Sequence, residues 1–177
     1  TEIYFQYLFN VPIDMKGKKY YSTINEDDSY QDELMQNNGH GKNYGMEFTL
    51  DKRLASKWYL LHTVSLFNSQ YMARNGVWGS TRFNSNFITN LTIGKDFVIG
   101  KRKTDIFSVN ARVFWGGGRR YIPIDIDQSI AQGEEVKIYT QGYSDRASNY
   151  FRLDAGVSFR KNKPKWAWII KIDIQNV

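Results

Sequence analysis

The sequence from Tyr150 to Arg160, YFRLDAGVSFR, alternates apolar and polar residues along its length. Successive side chains of a β-strand point to opposite faces, so this stretch predicts a strand with one apolar and one polar face. Phe151, Leu153 and Val157 share the apolar face, whereas the charged residues fall on the other. One face of this segment therefore needs an apolar environment, and the other tolerates water.

Six further stretches show related patterns, and most reach or exceed the roughly 9–11 residues that a tilted strand needs to cross a bilayer. Together the seven predicted strands lie near residues 2–13, 42–50, 58–69, 83–97, 105–115, 150–160 and 166–176. The links alternate strictly between long (14–41, 70–82, 116–149) and short (51–57, 98–104, 161–165). Long loops at one rim and short turns at the other are typical of transmembrane β-barrels.

These observations predict an all-β fold, an antiparallel up-and-down transmembrane β-barrel segment of about seven strands in one domain, residues 1–177. Closed bacterial barrels have an even number of strands, and open edges in lipid leave backbone groups unsatisfied. We therefore expect an incomplete barrel, with strands missing at both ends and the long links forming external loops.

Aromatic residues concentrate at the ends of the predicted strands, where a barrel carries its interfacial girdles. The chain has 5 Trp, 12 Tyr and 11 Phe. Those at strand ends are Trp58, Tyr59, Phe83, Phe97, Phe114, Trp115, Tyr150, Phe151, Phe159, Trp166 and Trp168.

Two finer predictions concern the first and last strands. In strand one, the alternation places Ile3, Phe5, Tyr7, Phe9, Val11 and Ile13 on one face. In the last hairpin, a two-residue turn at Asn162-Lys163 would set Asp154 opposite Lys171 and Arg152 opposite Asp173. Such complementary pairs contribute roughly 0.2–1 kcal/mol each.

The composition offers little catalytic or metal chemistry. There is no Cys, and His40 and His62 have no third partner at triad or zinc spacing. The acidic segment Glu26-Asp27-Asp28 with Asp32-Glu33 is better explained as a solvated loop than as a calcium site. The net charge of +6 is scattered. We expect no enzyme activity, metal site, cofactor or nucleic-acid partner.

One run, Gly117-Gly118-Arg119-Arg120-Tyr121-x-Pro123-Ile124-Asp125, resembles a sequence near the C-terminus of TonB-dependent outer-membrane receptors with an N-terminal carboxypeptidase-like regulatory domain. Three more stretches match that family in the same order. They are Glu2-Ile3-Tyr4-Phe5-Gln6-Tyr7-Leu8-Phe9-Asn10-Val11-Pro12, Asn75-Gly76-Val77-Trp78-x-x-Thr81-Arg82-Phe83-Asn84 and Tyr150-Phe151-Arg152-Leu153-Asp154.

The resemblance implies part of the last third of a 22-stranded barrel in the bacterial outer membrane, with the plug and TonB box absent from this sequence. It implies active uptake of a scarce ligand, such as an iron-siderophore, a cofactor or an oligosaccharide. The implied partners are outer-membrane lipid, TonB acting through the missing N-terminal region, the small-molecule ligand and a possible surface lipoprotein.

Ligands of this family meet loop tips and the plug, so the candidate ligand-binding residues are those of the external loops: Trp78, Arg82, Arg119, Arg120, Tyr121, Asp125 and Asp127. Arg119 and Arg120 could hold an anionic ligand. The favoured alternative is that both arginines anchor their own loop to carboxylates of the barrel wall.

Two other classes of protein remain open at this point. A soluble β-barrel or sandwich that binds a small apolar ligand would need polar residues outside and apolar residues within. An outer-membrane enzyme, or a structural outer-membrane barrel without transport, should show a Ser/His/Asp cluster or a large periplasmic domain. A requirement for detergent separates the first class from a receptor.

Overall fold

The computed structural model describes residues 1–26, 34–55 and 57–176, and most of them belong to one antiparallel sheet. The long strands of this sheet pair in the order in which they follow one another along the chain. One additional short strand pairs with the third long strand. The strands of this sheet are β1 (Glu2–Asp14), β2 (Met35–Ala55), β3 (Trp58–Met72), β4 (Trp78–Ser80), β5 (Phe87–Ile99), β6 (Asp105–Gly116), β9 (Tyr150–Asn162) and β10 (Ala167–Ile174).

The link from β6 to β9 carries its own small elements. A two-stranded sheet joins β7 (Arg120–Tyr121) to β8 (Asp145–Arg146), and between them lies a short helix, α1 (Ile126–Gln132). Two 3₁₀ turns, Thr23–Asn25 and Tyr139–Gln141, lie in the first and last long links. No helix in the described part of the chain is long and apolar enough to cross a membrane.

The all-β, up-and-down arrangement of seven long strands is confirmed. Among the described residues β1 and β10 are the two edge strands of the sheet and do not pair with each other, so the sheet does not close. The largest shift in strand bounds is in β2, which begins at Met35 rather than at residue 42. Gly39 and Gly41 interrupt the alternation there. A Cβ on Gly39 would lie 2.4 Å from a methyl carbon of Ile13, which shows that glycine permits close strand packing at this point.

Residues directly opposite each other in an antiparallel pair share a face, so the pairing can be followed across the sheet. One row runs from strand to strand through Phe48, Val64, Thr89, Trp115 and Phe151. This face, which we call the apolar face, is continuous across the long strands.

The opposite face, which we call the polar face, carries side chains that bond to one another. Asn43 donates to Gln6 at 2.9 Å and accepts from the Ser69 hydroxyl at 2.6 Å. At the other end of the strands the Ser108 hydroxyl donates to Asp96 at 2.6 Å. Tyr59, Phe114 and Tyr150, predicted as girdle residues, also pair on this face. Their aromatic character alone did not reveal which face they occupy.

The prediction that strand one keeps a single apolar row is wrong beyond Phe9. Asn10 has a φ of 57°, and the β1–β2 register shifts between Leu8 and Val11 and again between Val11 and Ile13. A bulge of this kind adds one residue to the strand, so the side chains that follow it point to the opposite face. Val11 and Ile13 therefore lie buried beneath the loops, and Ile13 packs with Tyr71.

The predicted register of the last hairpin is also wrong. Lys171 pairs with Ser158 rather than Asp154, because the link is a four-residue loop, residues 163–166, closed by a 2.9 Å bond from the Lys163 amide to the Trp166 carbonyl. A two-residue hairpin turn needs positive φ, which the residue before Pro164 resists. The shift is an even number of residues, so both faces keep their assigned side chains.

This register can be tested by cross-linking. We expect Ser158→Cys with Lys171→Cys to form a disulfide under mild oxidation, since directly paired residues meet the distance requirement. Asp154→Cys with Lys171→Cys serves as the control, because position 154 lies about 13 Å further along its strand. Mass spectrometry of tryptic peptides reads the link, and a disulfide only in the control pair would contradict the structure.

Candidate functional site

The long links meet at a loop junction formed by the segment 81–86, the segment 117–120 and the segment 144–147. Two glycines allow the backbones to approach. A Cβ on Gly117 would lie 1.8 Å from the Ser85 carbonyl oxygen, and one on Gly118 would lie 1.9 Å from that of Ala147. The glycine run thus serves close packing of three chain segments.

Arg120 fastens this loop junction. Its Nε donates to the Asn84 carbonyl oxygen at 2.9 Å, and its two terminal nitrogens donate to Asn86 Oδ1 at 3.1 Å and the Ser144 carbonyl oxygen at 3.3 Å. Arg120 therefore anchors its loop, as expected. Its three acceptors are neutral oxygen atoms, however, and not the carboxylates that we expected.

Asn84 connects the loop junction to the sheet. Its side chain is buried, accepts the Ser69 amide at 3.0 Å and donates to Asn68 Oδ1 at 2.7 Å. Neighbouring Asn86 takes a left-handed conformation, with φ at 69°. Asparagine tolerates this conformation better than most residues.

A cavity of about 560 Å³ lies beside the loop junction, between the first and last long links. Six tyrosines supply much of its lining, and we call it the tyrosine cavity. The Tyr71 hydroxyl donates to the Tyr20 carbonyl oxygen at 3.0 Å, and its ring meets Tyr143 edge-on with centroids 6.2 Å apart. The lining residues are Lys18, Tyr20, Tyr21, Ser22, Asn25, Glu26, Tyr71, Arg82, Arg120, Tyr121, Ile122, Ile124, Glu135, Lys137, Tyr139, Gly142 and Tyr143.

Asn25 lines the tyrosine cavity and is only 2% exposed. Its Oδ1 accepts the Arg82 amide at 2.9 Å, whereas its Nδ2 has no hydrogen-bond partner among the described residues. A buried donor left unpaired costs about 1–3 kcal/mol. The nitrogen itself has almost no accessible surface, so this side chain is a buried part of the cavity wall.

The charges around the tyrosine cavity favour an anion. Burial, and to a lesser extent the nearby Arg146, lower the pKa of the Arg120 guanidinium. Of the two lining carboxylates, Glu135 already pairs with Lys137 at 2.9 Å. A bound anion would relieve the crowding of positive charge near Arg120.

The predicted site residues divide between this cavity and other places. Arg82, Arg120 and Tyr121 line it. Trp78 lies in β4 on the apolar face, and the Arg119 guanidinium lies 5.5 Å from the Phe83 ring centre. Asp125 accepts the Gln128 amide as the N-cap of α1, and Asp127 is exposed in the first turn of that helix.

Sequence reasoning missed Asn25 and the tyrosines contributed by separate links. The available signal for a site was the pair Tyr20-Tyr21 in the first long link together with Tyr139 and Tyr143 in the last, because polar loops seldom carry so many aromatic residues. Nothing in the local sequence shows that these segments meet.

Within the described residues no group of three or more His, Asp or Glu side chains could hold a metal ion. Of the acidic segment discussed above, positions 27–33 lie outside the described residues. No family model matches the chain, and no curated protein and no solved structure shows significant similarity to it.

The glycine packing in the loop junction predicts a stability effect. We expect Gly117→Ala to push the segments apart and to lower stability by about 1–3 kcal/mol, since overpacking of this kind forces backbone shifts. Thermal unfolding and chymotrypsin sensitivity of the long link would report it. Gly79→Ala is the matched control, because a Cβ there would make an ordinary 3.6 Å contact with the Tyr71 ring. Equal behaviour of the two variants would refute the packing role.

Proposed function

We propose that this chain is a barrel portion of a TonB-dependent receptor, which takes up a scarce ligand across the bacterial outer membrane. The observation that carries the proposal is a band on the apolar face of β2. Tyr44, Met46, Phe48 and Leu50 point the same way, and each is at least 40% exposed. Exposed apolar areas of this extent are rare on soluble monomers and mark an interaction surface.

A lysine and a tryptophan bound this band at each end. The Lys42 ammonium lies 4.2 Å from the Trp78 ring centre, and that of Lys52 lies 3.4 Å from the Trp58 ring centre. Tryptophan and snorkelling lysine side chains are typical of membrane interfaces.

The spacing of the two pairs fits a membrane. Lys42 and Lys52 are ten residues apart on one uninterrupted stretch of β2, which is about 34 Å along the strand. With the 35–45° tilt of outer-membrane strands, this becomes about 24–28 Å along the membrane normal. The apolar band of such barrels is about 25 Å tall.

The two ends of the strands differ, as they do in outer-membrane barrels. Long links, with the tyrosine cavity, gather at one end, while the other end has links of two to five residues, at 56–57, 100–104 and 163–166. The polar face would line the lumen, and the cavity would lie on the external side. The motif resemblance adds active uptake, with TonB as the partner protein that couples energy to the receptor, a plug domain within the barrel, and a surface lipoprotein as a further partner.

Fractionation and uptake measurements on the intact protein test this proposal. We expect it in the outer-membrane fraction, soluble only in detergent, with ligand accumulation that stops when the inner-membrane proton gradient is collapsed. Recovery in a soluble fraction would favour a soluble ligand-binding barrel. Membrane location without energy-dependent uptake would favour a structural barrel.

A pair of neighbouring substitutions tests which face meets lipid. We expect Phe48→Arg to lower stability in bilayers by about 2–4 kcal/mol, because arginine near the midplane of the lipid face is costly. Thr49→Arg, one residue away on the polar face, should be nearly neutral. Urea unfolding in lipid vesicles compares them, and an equal loss in both would contradict the assignment.

A further inference from the structure

The tyrosine cavity has the surface of a carbohydrate site. Tyrosine offers an apolar ring and a polar hydroxyl on one rigid side chain, which suits a ligand with apolar C–H faces and hydroxyl edges. Tyr121 and Tyr139 are each more than 40% exposed at this cavity, so their rings are open to a ligand. A volume of about 560 Å³ is within the range of small-molecule sites.

Arg120 supplies the charge preference. It bonds to two backbone carbonyls and an amide oxygen, and Arg146 also donates to that amide oxygen, Asn86 Oδ1, at 3.4 Å. Two guanidinium groups on one neutral acceptor leave local positive charge that an anion would offset.

We propose that the tyrosine cavity binds an acidic oligosaccharide, with a sugar ring against Tyr121 or Tyr139 and a carboxylate or sulfate on the side of Arg120. This deepens the proposed function by choosing the ligand class. A ferric siderophore is the competing ligand, and the experiment separates the two.

Calorimetry on the intact detergent-purified protein provides the test, with tetragalacturonate, neutral galactotetraose and a ferric catecholate as probes. We expect tetragalacturonate to bind at least about tenfold more tightly than the neutral sugar, because one charge-assisted hydrogen bond strengthens binding by about a factor of ten or more. Its affinity should fall as salt rises.

A matched pair of variants locates the site. Tyr121→Ala removes the exposed ring and should weaken tetragalacturonate binding, whereas Tyr121→Phe keeps the ring and should largely retain binding.

Several outcomes would overturn the inference: no tetragalacturonate binding, equal affinity for the neutral sugar, equal loss in Tyr121→Ala and Tyr121→Phe, or catecholate binding with the expected variant pattern. Failure of the proposed function looks different. A protein absent from the outer membrane refutes the receptor even where the purified protein binds the acidic sugar, and an outer-membrane protein without sugar binding refutes only this inference.

Discussion

The structure depends on a shared register between neighbouring strands. A slip of one residue in any pair would move every apolar side chain of that strand to the polar face. The pairings instead keep the side chains of the apolar face aligned from strand to strand. One row of paired residues crosses five strands, from Phe48 to Phe151. A second row, near the short links, runs from Phe97 to Ile170. One face is then mainly apolar across the sheet, while the other is mainly polar.

The exceptions to that register serve the loops. At Asn10 the bulge turns Val11 and Ile13 away from the apolar face, and Ile13 joins Tyr71 and Ala73 in a small buried core. Ile24 of the first long link and Tyr143 of the last both pack against this core. The last long link is held in addition by glycine contacts and by Arg120. Hydrophobic packing and hydrogen bonds thus together position the walls of the tyrosine cavity.

The sequence was sufficient for features that depend on local periodicity: the seven strands, most of their faces and the alternation of long and short links. It was insufficient where a single residue changes the geometry, as Asn10 and Pro164 do, because neither alters the apolar pattern. The site was harder still. Arg120 and Tyr121 were identified from one motif, whereas Asn25 matters only because distant segments meet around its amide.

Spin labels placed one at a time from Tyr44 to Leu50, in the intact protein reconstituted into lipid vesicles, test the central claim most directly. The account predicts that accessibility to oxygen, which concentrates in the bilayer, peaks at positions 44, 46, 48 and 50. Accessibility to a water-soluble nickel complex should peak at the positions between them. High nickel accessibility at both sets of positions, or no two-residue period, would contradict the assignment of the apolar face to lipid.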